Sequence, residues 1–215
     1  MLHHLSFGAG QVPCRHKNHG LHQCRDDAMI MNGQRWTFDS LASQPRHVLE
    51  EVLRSGAAMT AGDVVGFEFK GWNFNPTTSI LGVRKFKKGF YRDKKTNIAW
   101  GYNVRVRQGR IDEPWVSLPS ENHPRRFYFF GVSDPAPGNR YPNALLVNYR
   151  QWPGNRPINP VRYMVDYIVA ANPANRDLAL GKSYLESPIA TIVLGFFVLE
   201  RHNATKFRGS EEERF

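Results

Sequence analysis

A chain of 215 residues with 41% apolar and 13% aromatic residues holds enough hydrophobic material for one sizeable core, which excludes a wholly disordered protein. Its longest apolar run, 189–199, is too short to cross a bilayer as a helix, so no membrane span is expected. The net charge is +10, and the segment from Arg84 to Arg110 carries ten lysines and arginines against Asp93 alone, so an anionic partner would meet one part of the molecule first.

Residues 1–30 hold five of the eight histidines and both cysteines, and show no period that could bury a face. We read them as a poorly ordered tail. Cys14, His16, His19, His22 and Cys24 are metal-ligand types, but they crowd into eleven residues with Leu21 as the only hydrophobic neighbour. A structural zinc site joins ligand pairs held apart by a folded element, so we expect no metal here and no cofactor elsewhere. The absence of any thiol after Cys24 gives the fold no disulfide framework. The N-terminus lacks a basic start followed by an apolar stretch, and the expectation is a cytoplasmic protein.

The first helix signal is "SQPRHVLEEVLRSG", 43–56. Ser43 can cap it, Pro45 suits the first turn, and Gly56 can end it. Val48, Leu49, Val52 and Leu53 form one stripe, which predicts an amphipathic helix laid over an opening. A helical turn is expected in 76–86. Strands are predicted at 64–73, 88–93, 98–108, 124–132, 143–151, 165–172, 178–186 and 192–202, where aromatic and β-branched residues run between turn formers. The short connections "DKKTN" and "PANRD" make their flanking strands hairpin neighbours. The proline-rich stretches 133–142 and 152–160 read as ordered excursions, and 206–215 as a frayed charged end.

Eight antiparallel strands within 31–205 suit closure, which removes exposed edges. The predicted fold is therefore mainly β: an antiparallel lipocalin-like (calycin) β-barrel with a short N-terminal amphipathic helix. Such a barrel encloses either packed side chains or one small ligand. In the third strand Gly101, Asn103, Arg105 and Arg107 share one face, and Trp100, Tyr102, Val104 and Val106 the other.

"GFEFKGWNFN" close behind the helix, then "NALLVNYRQ", "LALGKSYLE" and "GFFVLERH", together resemble the GXWXG-type calycins, whose members are mostly of unknown function. The resemblance implies a lipocalin-like barrel with Trp72 or Phe69 in a structural role near its base. The Gly-x-Trp-x-Gly pattern itself is absent: Phe69 stands where the tryptophan would precede Lys70 and Gly71, and Trp72 follows. No catalytic residue carries over. His202 is a candidate haem or metal ligand, as in related barrels of the nitrobindin kind, but the favoured reading is a strand-end histidine in solvent.

The expected function is binding of a small, largely apolar molecule with an acidic or polar group. Arg105 and Arg107 are the candidates to hold a carboxylate, with Tyr102 and Tyr128 as hydroxyl donors and Trp72 and Trp100 as aromatic contacts. A cofactor-free isomerase or cyclase in the same cavity is the alternative, with Asp166 and Glu68 as candidate acid or base. No hydrolase, zinc-protease, phosphate-loop or dinucleotide motif is present. A third reading has the basic segment 84–110 bind nucleic acid, with Phe86, Phe90, Tyr91, Trp100 and Tyr102 as stacking platforms, but no recognised signature supports it. The sequence leaves the oligomeric state open.

Overall fold

The computed structural model of the protein describes residues 35–74 and 83–209. The Cys/His stretch, the 76–82 part of the expected helical turn and the chain beyond 209 lie outside the described residues. Three helices, α1 (Phe38–Ala42), α2 (Arg46–Ser55) and α3 (Ala61–Val64), precede eight strands: β1 (Phe67–Asn73), β2 (Lys85–Arg92), β3 (Ala99–Arg105), β4 (Arg126–Ser133), β5 (Leu145–Asn148), β6 (Met164–Asn172), β7 (Asn175–Glu186) and β8 (Thr191–Ala204). Every strand pairs antiparallel with the next and β1 pairs with β8, which closes an eight-stranded up-and-down barrel, as the mainly β reading expected. Both short connections do join hairpin neighbours, β2 to β3 and β6 to β7. No helix among the described residues is long and apolar enough to cross a membrane.

Tight curvature is managed by glycine facing aromatic rings. In the cross-strand pairs Gly71–Phe86, Gly101–Phe130 and Gly181–Phe197, the phenylalanine ring lies over the glycine on the inner wall. A methyl group on Gly101 would come within 2.0 Å of the Phe130 ring, so the ring occupies the space that a side chain would need.

The amphipathic helix is where the stripe predicted it, but it does not lie over an opening. Asn143 donates to the carbonyls of Leu53, Arg54 and Gly56, and Glu50 reaches Lys182 of β7 at 2.6 Å, which fixes α2 on the outer wall. The end is filled instead by Met59, Ala61 and Val64, in and just before α3, which pack with Phe69, Phe90 and Phe130. Burial opposes the charge of Glu50, but hydrogen bonds from Lys182 and Tyr141 and the charges of Lys182 and Arg54 outweigh it and hold its pKa below the usual value. That contribution is full above the unfolded value and disappears as pH falls through the folded one. A denaturation series at falling pH should therefore show a loss of roughly 1 kcal/mol in the acid limb that Glu50→Gln removes.

β2 begins at Lys85, three residues before the pattern suggested, so it takes in Lys85 and Phe86, which the expected helical turn had claimed, and the lysines Lys87 and Lys88. They are buried. The long β3–β4 connection covers the outer face of β2: Lys85 Nζ donates to the carbonyls of Arg110, Glu113 and Pro114 at 3.0, 2.8 and 3.2 Å and lies 4.1 Å from the Trp115 ring centroid. Lys87 Nζ donates to Ser117 and Glu121. Lys85→Met should leave three carbonyls short of a donor, cost about 2 kcal/mol in urea unfolding, and make 106–125 easier to cut with protease. The chain also continues as structure past the expected domain end at 205, since Phe207 is buried against Tyr91 and Tyr102.

Candidate site at the inner end of the barrel cavity

Alternation along β2 sends Phe86, Lys88 and Phe90 inward, so one lysine enters an otherwise aromatic wall. Two partners meet it directly, Asp166 of β6 and Tyr149, which opens the 3-10 turn Tyr149–Gln151 after β5, and Asn103 of β3 and Ser183 of β7 bond to those two in turn. Lys88 Nζ donates to Asp166 Oδ2 and to the Tyr149 hydroxyl, both at 2.9 Å. Asp166 also accepts from Ser183 Oγ at 2.6 Å and from the Tyr149 hydroxyl at 3.4 Å. Asn103 Nδ2 donates to Tyr149 Oη at 3.2 Å. The Lys88 and Asp166 side chains are 3% and 2% exposed, so neither charge is supported by water. Each needs the other.

The third N–H of Lys88 makes no hydrogen bond among the described residues, and its ammonium lies 4.4 Å from the Phe130 ring centroid. Beside it is a cavity of about 80 Å³. The inner lining is Phe86, Phe197 and the polar cluster; the outer lining is half-buried Asn73, Val83, Phe127, Tyr128, Met164 and Leu194. Two bulges shape this outer part. The register shift between β3 and β4 falls at Tyr128, whose φ of 46° lies in the left-handed region, and the shift between β7 and β8 falls at Leu194. Bulges turn side chains out of strict alternation, and these bring Phe127 and Tyr128 together onto the lining.

Burial opposes the ammonium of Lys88, but the Asp166 carboxylate and Tyr149 outweigh it and raise its pKa. Burial, followed by the Asp166 charge, pushes the Tyr149 phenol up to about 12. Both groups hold their protons more tightly folded than unfolded, so their contribution is full below about pH 10 and is lost as pH rises through the folded values. Unfolding free energy should thus fall between about pH 10 and pH 12, and fall less in a Lys88→Met/Asp166→Leu protein.

The sequence candidates divide between cavity, wall and surface. Asp166 and Tyr128 line the cavity. Arg105 and Arg107 do not: the face they share with Asn103 leaves the interior where the chain turns to pair with 116–118 and 125, and both are exposed. The cation that faces inward is Lys88. Tyr102 and Glu68 lie on the outer wall, where the Tyr102 hydroxyl donates to Glu68 at 2.9 Å and shares a 2.6 Å hydrogen bond with Thr205. Burial and the Glu68 charge push that phenol up, and it remains protonated. Trp72 is on the outside of β1 beneath the Arg84 guanidinium, and Trp100 packs on Trp152. Phe69 is the inward residue of β1 and meets Phe90 edge to face. Phe86, Phe90, Tyr91 and Tyr102 are buried, so the basic segment presents none of them for stacking. His202 is exposed. Among the described residues no group of three His, Cys, Asp or Glu is placed to hold a metal.

No family model, curated protein or solved structure matches the chain. The site's chemistry is argued from its own geometry.

Proposed function

We propose that the barrel binds a small, largely apolar ligand whose acidic or polar end meets Lys88. The observation that carries this is a buried ammonium with one N–H left over, set at the inner end of a cavity whose walls are otherwise mainly apolar. A ligand carboxylate or carbonyl oxygen accepts that N–H, while Tyr149 and Ser183 hold the Asp166 charge in place. The enclosed space of about 80 Å³ is about half that of an apolar cavity that takes up benzene, so it receives the polar end and first carbons of a ligand whose remaining chain extends past the outer lining. The likeness of the β1, β5, β7 and β8 segments to the GXWXG-type calycins agrees with the barrel, and the reading extends to a cytoplasmic carrier.

Native mass spectrometry of the purified protein tests it. A discrete small-molecule mass that leaves on activation and is missing from Lys88→Met/Asp166→Leu is the expected result. An unliganded mass for both, with no uptake of added octanoate, would overturn the proposal. A second reading, a cofactor-free isomerase, is favoured by Asp166 standing within hydrogen-bonding distance of Tyr149, Ser183 and Lys88 on the cavity wall. Turnover of the extracted molecule that is lost in Asp166→Asn would establish catalysis.

A further inference from the structure

The strand ends place the outer cavity lining at one end of the barrel, where β1 finishes and β2 begins, the end that carries the connections 106–125, 149–163 and 187–190. Of the five large hydrophobic side chains exposed among the described residues, four belong to this end: Ile158, Ile189, Ile192 and Val193, the first two being 92% and 95% exposed. The β7–β8 turn that carries Ile189 is held by hydrogen bonds from the Ser187 amide and hydroxyl to the Ala190 carbonyl and from the Ala190 amide to Ser187 Oγ. Its isoleucine is thus held out to solvent by a formed turn. The same end exposes Arg84, Arg105, Arg107, Arg125, Arg150 and Arg156. Its acids are Asp112, Glu113, Glu121 and Glu186, three of which are in ion pairs with Arg110, Lys87 and Arg140.

Aliphatic tips and exposed arginines at the same end fit one kind of partner. An anionic bilayer offers phosphates to the guanidinium groups and hydrocarbon to the isoleucines, while a nucleic acid would want exposed aromatic faces, which the described residues of this end do not present. We propose that this end of the barrel docks on an anionic lipid surface, with Ile189 and Ile192 inserted below the headgroups, so that the ligand passes between bilayer and cavity without crossing water. The transfer step rests on the cavity reading above; the docking does not.

The test is co-sedimentation of the full chain with phosphatidylcholine vesicles, with and without about 30% phosphatidylglycerol. The expected result is binding to the anionic vesicles that weakens roughly tenfold in Ile189→Ser/Ile192→Ser and at least tenfold in Arg150→Gln/Arg156→Gln. Lys94→Gln/Lys95→Gln, an equal loss of charge at the opposite end, should leave it unchanged. No binding, an equal effect of the Lys94 and Lys95 changes, or indifference to the isoleucines would overturn the proposal. The last outcome would point to adsorption of phosphate polymers in general. Calorimetric titration of octanoate in vesicle-free buffer separates the two claims: the rim variants should bind it normally, while Lys88→Met/Asp166→Leu should lose it yet still sediment with vesicles.

Discussion

Lys88→Met is expected to lower the unfolding free energy by about 4 kcal/mol at neutral pH, because it leaves the Asp166 charge buried without its counterion. Ser183 and Tyr149 still donate to that carboxylate, but two neutral donors do not replace an ammonium at 2.9 Å. The paired change Lys88→Met/Asp166→Leu removes both charges and should recover most of the loss, to within about 1 kcal/mol of the parent. The contrast between single and double replacement in urea unfolding is decisive about what the pair does. If the double variant is as stable as the parent yet takes up no ligand, the ion pair is kept for binding and not for stability. If Lys88→Met alone proves harmless, the pair is not buried as described.

Gly101→Val should be the most damaging change in the barrel wall away from that pair. The space beside Gly101 is filled by the Phe130 ring, and the Gly89 carbonyl stands 2.8 Å from where a Cβ would be, so there is no direction in which a branched side chain can go. Phe130 also packs on Phe90 and Tyr149, and pushing it aside disturbs the ring beneath the Lys88 ammonium. Loss of about 3 kcal/mol is expected, the upper part of the range for overpacked cores. Adding Phe130→Leu should restore part of it, which separates crowding at this ring from a general weakness of β3. Thermal unfolding of the two variants reads the difference directly.

The eight strands and the closed barrel were legible in the sequence because period-2 alternation between turn formers is a local signal. The amphipathic stripe of α2 was equally plain, but a stripe says only that a face is buried and not against what; the partner contacts of Glu50 and Asn143 lie on elements almost ninety or more residues away. Asp166 stood out as a lone carboxylate in an apolar strand, and its burial on the cavity lining follows that hint. Lys88 was hidden by its company. In "KFKKGFYR" three lysines look alike, and the alternation that sends Lys88 inward also sends Lys85 and Lys87 outward, where a covering segment from a distant part of the chain buries them too. Phe86 and Phe90, the inward neighbours at the same spacing, were the available clue. Arg105 and Arg107 failed as cavity residues for the converse reason: alternation carries a side chain inward only within the barrel wall, and Arg105 is the exposed last residue of β3, still paired with Phe86, while Arg107 lies past the strand where the chain pairs with 116–118.

Titration of the folded protein with octanoate, followed by the two-dimensional NMR signals of the interior groups, tests most directly whether this barrel is a binding protein. A saturable one-to-one response at Lys88, Tyr149 and Asn103 that 1-octanol reproduces more weakly, and that Lys88→Met/Asp166→Leu abolishes in a folded protein, is the result expected. Unmoved interior signals at saturating octanoate and octanol, or an unchanged response in the double variant, would contradict it and leave the Lys88–Asp166 pair as a structural feature of the barrel.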